Sequence, residues 1–145
     1  MRRDDLHQPA RKSGEMSTVM AMSSVELALK NAMSIEGAIG VALVDYNSGL
    51  ALGTLGGGPE MDLNVAAAGN TEVVRSKLRT MEMLNLHHEA IEDILITLSG
   101  QYHLIRLLTK KGGEGHFLYL ALDRRRANLA MARLRLRQVE DDLSL

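Results

Sequence analysis

Apolar positions in this chain switch between a helical and a strand period. Met22, Val25, Leu29, Ala32 and Met33 recur at helical spacing, with Glu26, Lys30 and Asn31 outside the stripe. Ser23 or Ser24 is placed to cap this helix, Thr18 is a competing start, and Ser34 to Gly37 should end it. Ala38 to Tyr46 is apolar on both alternating faces, with Ile39, Val41 and Leu43 on one and Ala42 and Val44 on the other. That pattern predicts a strand covered on both sides. Asn47-Ser48-Gly49 is turn chemistry, and Leu50 to Leu55 predicts a second strand, thinned by glycine. Gly56-Gly57-Gly58-Pro59 ends it.

Asp62 or Asn64 can cap a second helix. Its stripe is Leu63, Ala67, Val74, Leu78 and Met81, broadened by Ala66, Val73 and Leu84. Asn70 and Asn85 fall on the apolar side, either bonded to a neighbouring loop or placed at an interface. Asp93 to Leu98, Gln101 to Leu108 and His116 to Leu122 read as three further strands, joined by Ser99-Gly100 and by the loop 109–115. Asp123 is placed to cap a last helix running to about Glu140. That helix has two apolar stripes on nearly opposite sides: Ala127, Ala130, Met131 and Leu134, then Leu129, Ala132, Leu136 and Val139. Arg124, Arg126, Arg133, Arg135 and Arg137 lie mainly between them, and Arg125 abuts the second. Two apolar faces imply two packing surfaces, one the sheet and the other the first helix or a second molecule.

Composition narrows the function. The 145 residues suit a single domain, with 1–17 as a flexible tail, 18–140 as the folded unit and 141–145 as an acidic end. Phe117, Tyr46, Tyr102 and Tyr119 are its only aromatics, so the core is built from aliphatic side chains and methionines. The absence of cysteine excludes disulfides, thiolate nucleophiles and cysteine-ligated metals. The formal charge of -1 offers no whole-protein attraction to nucleic acid or to an anionic membrane. The first residues carry charge without an apolar run, and no segment supplies the ~20 apolar residues needed to span a bilayer. The expected location is the cytoplasm, without membrane insertion.

Catalytic patterns are missing. Gly53 and Gly58 have the separation of a phosphate-binding loop, but Pro59-Glu60 follow where Lys and Ser or Thr are needed. The 112–115 glycines sit inside a hairpin with no helix behind them. His87-His88-Glu89, with Glu92 and Asp93, is the densest ligand-like group, yet adjacent histidines on a helix diverge by about 100°. Centring the last hairpin on Gly112 and Gly113 pairs His116 near Thr109 and His103 near Leu122, which separates the two histidines. No Gly-x-Ser-x-Gly elbow or facing carboxylate pair appears. The Arg-rich last helix lacks an aromatic platform for bases, so no nucleic-acid partner is expected. The expectation is a protein that is not an enzyme, with no cofactor and no metal.

Two stretches carry a resemblance. IEGAIGVALVDYNSGLALG resembles the opening strand pair of the Roadblock/dynein-light-chain family. EDILITLSGQYHLIRLL followed by FLYLALDRRRANLAMARLRL is similar to the closing strands and helix of its bacterial members. The resemblance implies a profilin- and longin-like α+β fold. Its five-stranded antiparallel sheet, order 2-1-5-4-3, is sandwiched with the second helix on one face and the other two opposite. It also implies homodimers that act as regulatory adaptors or activators of a Ras-like small GTPase. In that order Asp93, Ile94, Leu95, Ile96, Thr97 and Leu98 form an edge strand and the expected dimer interface. The expected partner surface lies on the second helix at Glu72, Arg75, Ser76, Arg79 and Glu82, flanked by Val65 and Met83. An ordinary solvated helix face is the plain alternative for that surface. A small-molecule-sensing α/β domain, with methionines lining its pocket, is the alternative function.

Overall fold

The computed structural model describes residues 24–145. Helix α1 covers 24–33, followed by strands β1 (Ala38–Asp45) and β2 (Leu50–Gly56). Then come α2 (Leu63–Met83), β3 (Asp93–Thr97), β4 (Gln101–Leu107), β5 (His116–Asp123) and α3 (Leu129–Asp142). The expected tail, the caps at Thr18 and Ser23, and Met22 lie outside the described residues. All strand pairs are antiparallel and the order is β2-β1-β5-β4-β3. This is the α+β architecture expected from the sequence.

The central strands β1 and β5 are apolar on both faces because the sheet separates two cores. Val41, Leu43, Leu118 and Leu120 pack with Leu29 of α1 and Leu136 of α3 on one face. Ala42, Val44, Phe117 and Tyr119 pack under Ala67 and Val74 of α2 on the other. Ile39 departs from the expected alternation. Ala38 pairs with Leu122 and Gly40 with Ala121, so Ile39 is an extra residue there and turns to the α2 core.

The glycine-rich end of β2 is a backbone requirement. Gly56 and Gly57 have φ of 80° and 79°. A Cβ would lie 2.6 Å from the Ile39 carbonyl oxygen at the first and 2.7 Å from that of Met61 at the second. Only glycine suits both the left-handed conformation and the close approach.

α2 starts at Asp62, whose side chain accepts from the backbone N–H groups of Asn64 and Val65. It stops sooner than the apolar pattern suggests. The Leu86 N–H donates to the Met81 carbonyl and the Asn85 N–H to that of Glu82, with Asn85 at φ 59°. This is a left-handed helix stop, so Asn85 serves as the stop rather than lying on the helix. Asn70 donates to Ala66 within its own helix, at 2.8 Å, instead of to a loop. Val73 and Leu84 do not join the sheet-facing stripe; both are exposed, because α2 lies mainly over β1 and β2.

The last helix begins later than expected. Asp123 is still in β5, paired with Gln101, and its N–H donates to the Gly37 carbonyl. Arg124, Arg125 and Arg126 form the step from sheet to helix layer, and Asn128 is the cap, accepting from the Met131 N–H. Of the two apolar stripes, Ala132, Leu136 and Val139 face the sheet. Met131 (51% exposed) and Leu134 remain in solvent, so α1 does not cover the other stripe. α3 runs two residues past Glu140, and Leu143 packs against the core beneath α1 and α3.

Candidate partner-binding surfaces

The sheet has two edges, β2 and β3, and they are built differently. In β2, Val44 pairs with Ala51 and Leu43 with Gly53, so Leu52 is a bulge residue that breaks the ladder. β3 pairs with β4 in unbroken register from Asp93↔Arg106 to Thr97↔Tyr102. A bulged edge resists further pairing and a regular one invites it. Asp93, at the start of that edge, is held by Arg133 of α3. Its Oδ2 lies 2.9 Å from Nε and its Oδ1 3.1 Å from Nη2. Ile94 belongs to the α2-side core, Leu95 to the opposite one, and Leu98, just past the strand, is exposed.

The expected partner residues on α2 are all exposed. Arg75, Arg79 and Glu82 line a hollow of about 280 Å3 with Leu78 and with Tyr46 and Asn47 of the β1–β2 turn. Glu72 and Ser76 are not among its lining residues. Val65 and Met83 sit towards opposite ends of the helix, about 27 Å apart at 1.5 Å per residue. Among the described residues, neither Arg75 nor Arg79 enters an ion pair. Tyr46 and Asn47 were not singled out from sequence; turn residues carry no marker of which helix face they approach.

Elsewhere several arginines are engaged. Arg124 donates to the Leu98 carbonyl at 3.0 Å and stacks over Tyr102, 5.3 Å from the ring centre. Arg135 donates to Ser34 of α1 at 2.9 Å. His87, His88 and Glu89 lie exposed in the loop after α2. The β4–β5 register is shifted by one from the sequence expectation, with His103 opposite Ala121 and the Leu108 N–H donating to the His116 carbonyl. Among the described residues no group of three metal-ligating side chains converges. A cavity of about 580 Å3 opens between α1 and β2, and no methionine is among its described lining residues.

His103 is a half-buried histidine with both ring nitrogens engaged. Gln101 Oε1 lies 2.7 Å from Nε2 and the Tyr119 hydroxyl 3.1 Å from Nδ1. An amide oxygen only accepts, so Nε2 carries the proton and Nδ1 accepts from the hydroxyl. Burial lowers the His103 pKa, and burial also raises Tyr119 to about 12. Folding therefore favours neutral His103, and the unfolded chain takes up the proton first as pH falls. This contribution is whole above about 6.5 and is lost as pH drops through the lower folded value. The urea midpoint of the wild type should decline more steeply between about pH 7 and 5 than that of His103→Gln. Parallel declines would show that His103 titrates alike in both states.

No protein-family model matches the chain, and no curated protein matches it in sequence. Solved structures do match it in shape. MglB of Myxococcus xanthus superposes with a TM-score of 0.72 at 17% identity, over 83% of this chain and 84% of that one. A Roadblock/LC7 domain from Streptomyces avermitilis gives 0.64 at 13% identity, over 79% and 90%. An MglB in a tetrameric arrangement gives 0.68 at 17% identity, over 86% and 87%. With its strand order and its placement of helices, the chain has the Roadblock/LC7 fold.

Proposed function

We propose that this protein is a non-enzymatic, dimeric interaction module that serves a Ras-like small GTPase as a regulatory adaptor or activator. The observation that carries this reading is the outer face of α2. It presents Arg75 and Arg79, one turn apart and without ion-pair partners among the described residues, beside a hollow open to solvent. Two guanidinium groups so placed suit acidic residues of a partner, each able to bond a carboxylate through two N–H groups. Mixed charge at that surface fits a reversible contact. The shape likeness to MglB and to a Roadblock/LC7 domain supports the same reading.

The dimer forms through β3, edge to edge with its twin, giving a continuous sheet of ten strands from two sheets of five. Val73 on α2, Leu84 (60% exposed) at its C-terminal cap and Leu98 beyond β3 are apolar surface for such an interface. An adaptor of this kind acts through surface alone, so it needs no catalytic constellation of its own.

The test is a pulldown from native cytosol with the wild type and with Arg75→Glu/Arg79→Glu. Wild type should retain a GTP-binding protein, and the double variant should lose at least 90% of it, since charge reversal sets like charges against each other. Circular dichroism and sedimentation must show that fold and dimer are intact. Unchanged retention would move the contact off α2. No GTPase retained by wild type in either nucleotide state would remove the adaptor reading itself.

A further inference from the structure

The hollow beside Arg75 and Arg79 continues past Tyr46. A second hollow, of about 340 Å3, shares Tyr46 and Leu78 with the first, and its lining includes Met81, Ile91 and Leu107. Together they make one groove around the end of the sheet where β1 enters its turn and β5 begins. Its middle is firm: Met81 and Leu107 are buried, and Tyr46, Leu78 and Ile91 are half-buried.

The two parts of the groove are opposite in charge. At the α2 part, Arg75 and Arg79 outnumber Glu82. The other part holds Glu89 and Glu114, and no basic residue lines it. The Glu114 side chain accepts from the Gly112 N–H at 2.7 Å, which holds that carboxylate in the loop. An apolar floor with one basic and one acidic part is a pattern that selects the order of residues in whatever lies along it, because like charges set against each other weaken binding strongly.

We propose that this groove binds a segment of a partner protein that carries acidic residues at one end, apolar residues in the middle and basic residues at the other. The proposal rests on the reading of α2 as a partner surface and adds the chemistry of the bound segment. The apolar middle occupies the Tyr46–Leu78 junction, the acidic end meets Arg75 and Arg79, and the basic end meets Glu89 and Glu114.

Three fluorescein-labelled nine-residue peptides test it, all with the same alternating leucine–alanine middle. One ends in two aspartates and two lysines, the second in aspartates at both ends, the third in lysines at both ends. In anisotropy titrations at low salt, the first should bind wild type at least tenfold more tightly than either other. Arg75→Glu/Arg79→Glu, an exchange of exposed residues checked by circular dichroism, should make the lysine-ended peptide the tightest. Equal binding of all three, no binding by any at millimolar concentration, or an order unchanged in the variant would overturn the proposal. The adaptor reading fails separately. A GTPase retained equally by wild type and by Tyr46→Ala overturns the groove and leaves the adaptor standing. The predicted peptide order with no GTPase retained supports the groove and removes the adaptor.

Discussion

Replacing Glu140 with alanine is expected to destabilise the fold by about 3 kcal/mol. Glu140 sits in the last turns of α3 with only 3% of its surface exposed. A carboxylate near a helix C-terminus opposes the helix dipole, so something must hold it there. Its Oε1 accepts from Arg106 Nε on β4 at 2.8 Å. Its Oε2 accepts from the backbone N–H groups of Thr109 and Lys110, at 2.9 and 3.3 Å, where the chain leaves β4 for the loop. One side chain thus ties α3, β4 and the loop together. Alanine would leave two backbone donors and a guanidinium without their acceptor. A broken buried pair costs ~3–5 kcal/mol, and the low end applies because the Arg106 side chain keeps 16% of its exposure. In a domain of this size the midpoint temperature should fall by about 10 °C. Glu140→Gln keeps an acceptor and should cost less. Urea unfolding followed by circular dichroism measures both. A loss under about 1 kcal/mol for alanine would mean that water replaces all three bonds. The neighbouring Lys110–Asp141 pair is exposed on both sides, and its removal should change little.

Glu140 also marks where sequence reading reached its limit. The pattern of apolar positions located all five strands and three helices, because burial on one or both faces leaves a period in the chain. β1 was legible as a doubly covered strand for this reason, and Asp62 as a cap because its side-chain chemistry is local. What failed depended on partners distant in sequence. Asp123 looked like a cap because its side-chain type suits one, but its backbone is committed to Gln101 and Gly37, so the helix waits for Asn128. Glu140 read only as the last residue of the final helix, since nothing local shows that Thr109 and Lys110 lie opposite. Ile39 changed faces through a bulge, which shifts alternation without altering composition. At the candidate surface Arg75, Arg79 and Glu82 were legible from helical spacing. Tyr46 and Asn47 were not, because the approach of a turn to a helix is a tertiary fact.

Ile96→Lys is expected to convert the proposed dimer into a folded monomer. Edge pairing through β3 would bury both copies of this strand, and a lysine carried into that seam would have to be desolvated or would splay the strands apart. Ile94 occupies a comparable place, but it packs into the α2-side core, so Ile94→Lys would damage the protomer as well. Ile96 is only partly buried and belongs to neither core cluster, which makes it the cleaner probe. The strand itself should tolerate the change. Ile96 pairs with His103, and that histidine's two ring nitrogens are already engaged by Gln101 and Tyr119. Sedimentation at micromolar concentration should give twice the protomer mass for wild type and the single mass for Ile96→Lys, with matching circular dichroism. A corresponding Leu52→Lys change in β2 should leave the wild-type mass unchanged, because the bulge there already breaks the ladder. If wild type sediments as a monomer, or if Leu52→Lys dissociates it while Ile96→Lys does not, β3 is not the seam. A monomeric wild type would leave each α2 to meet its partner alone, with the outer face of a single helix carrying the whole contact.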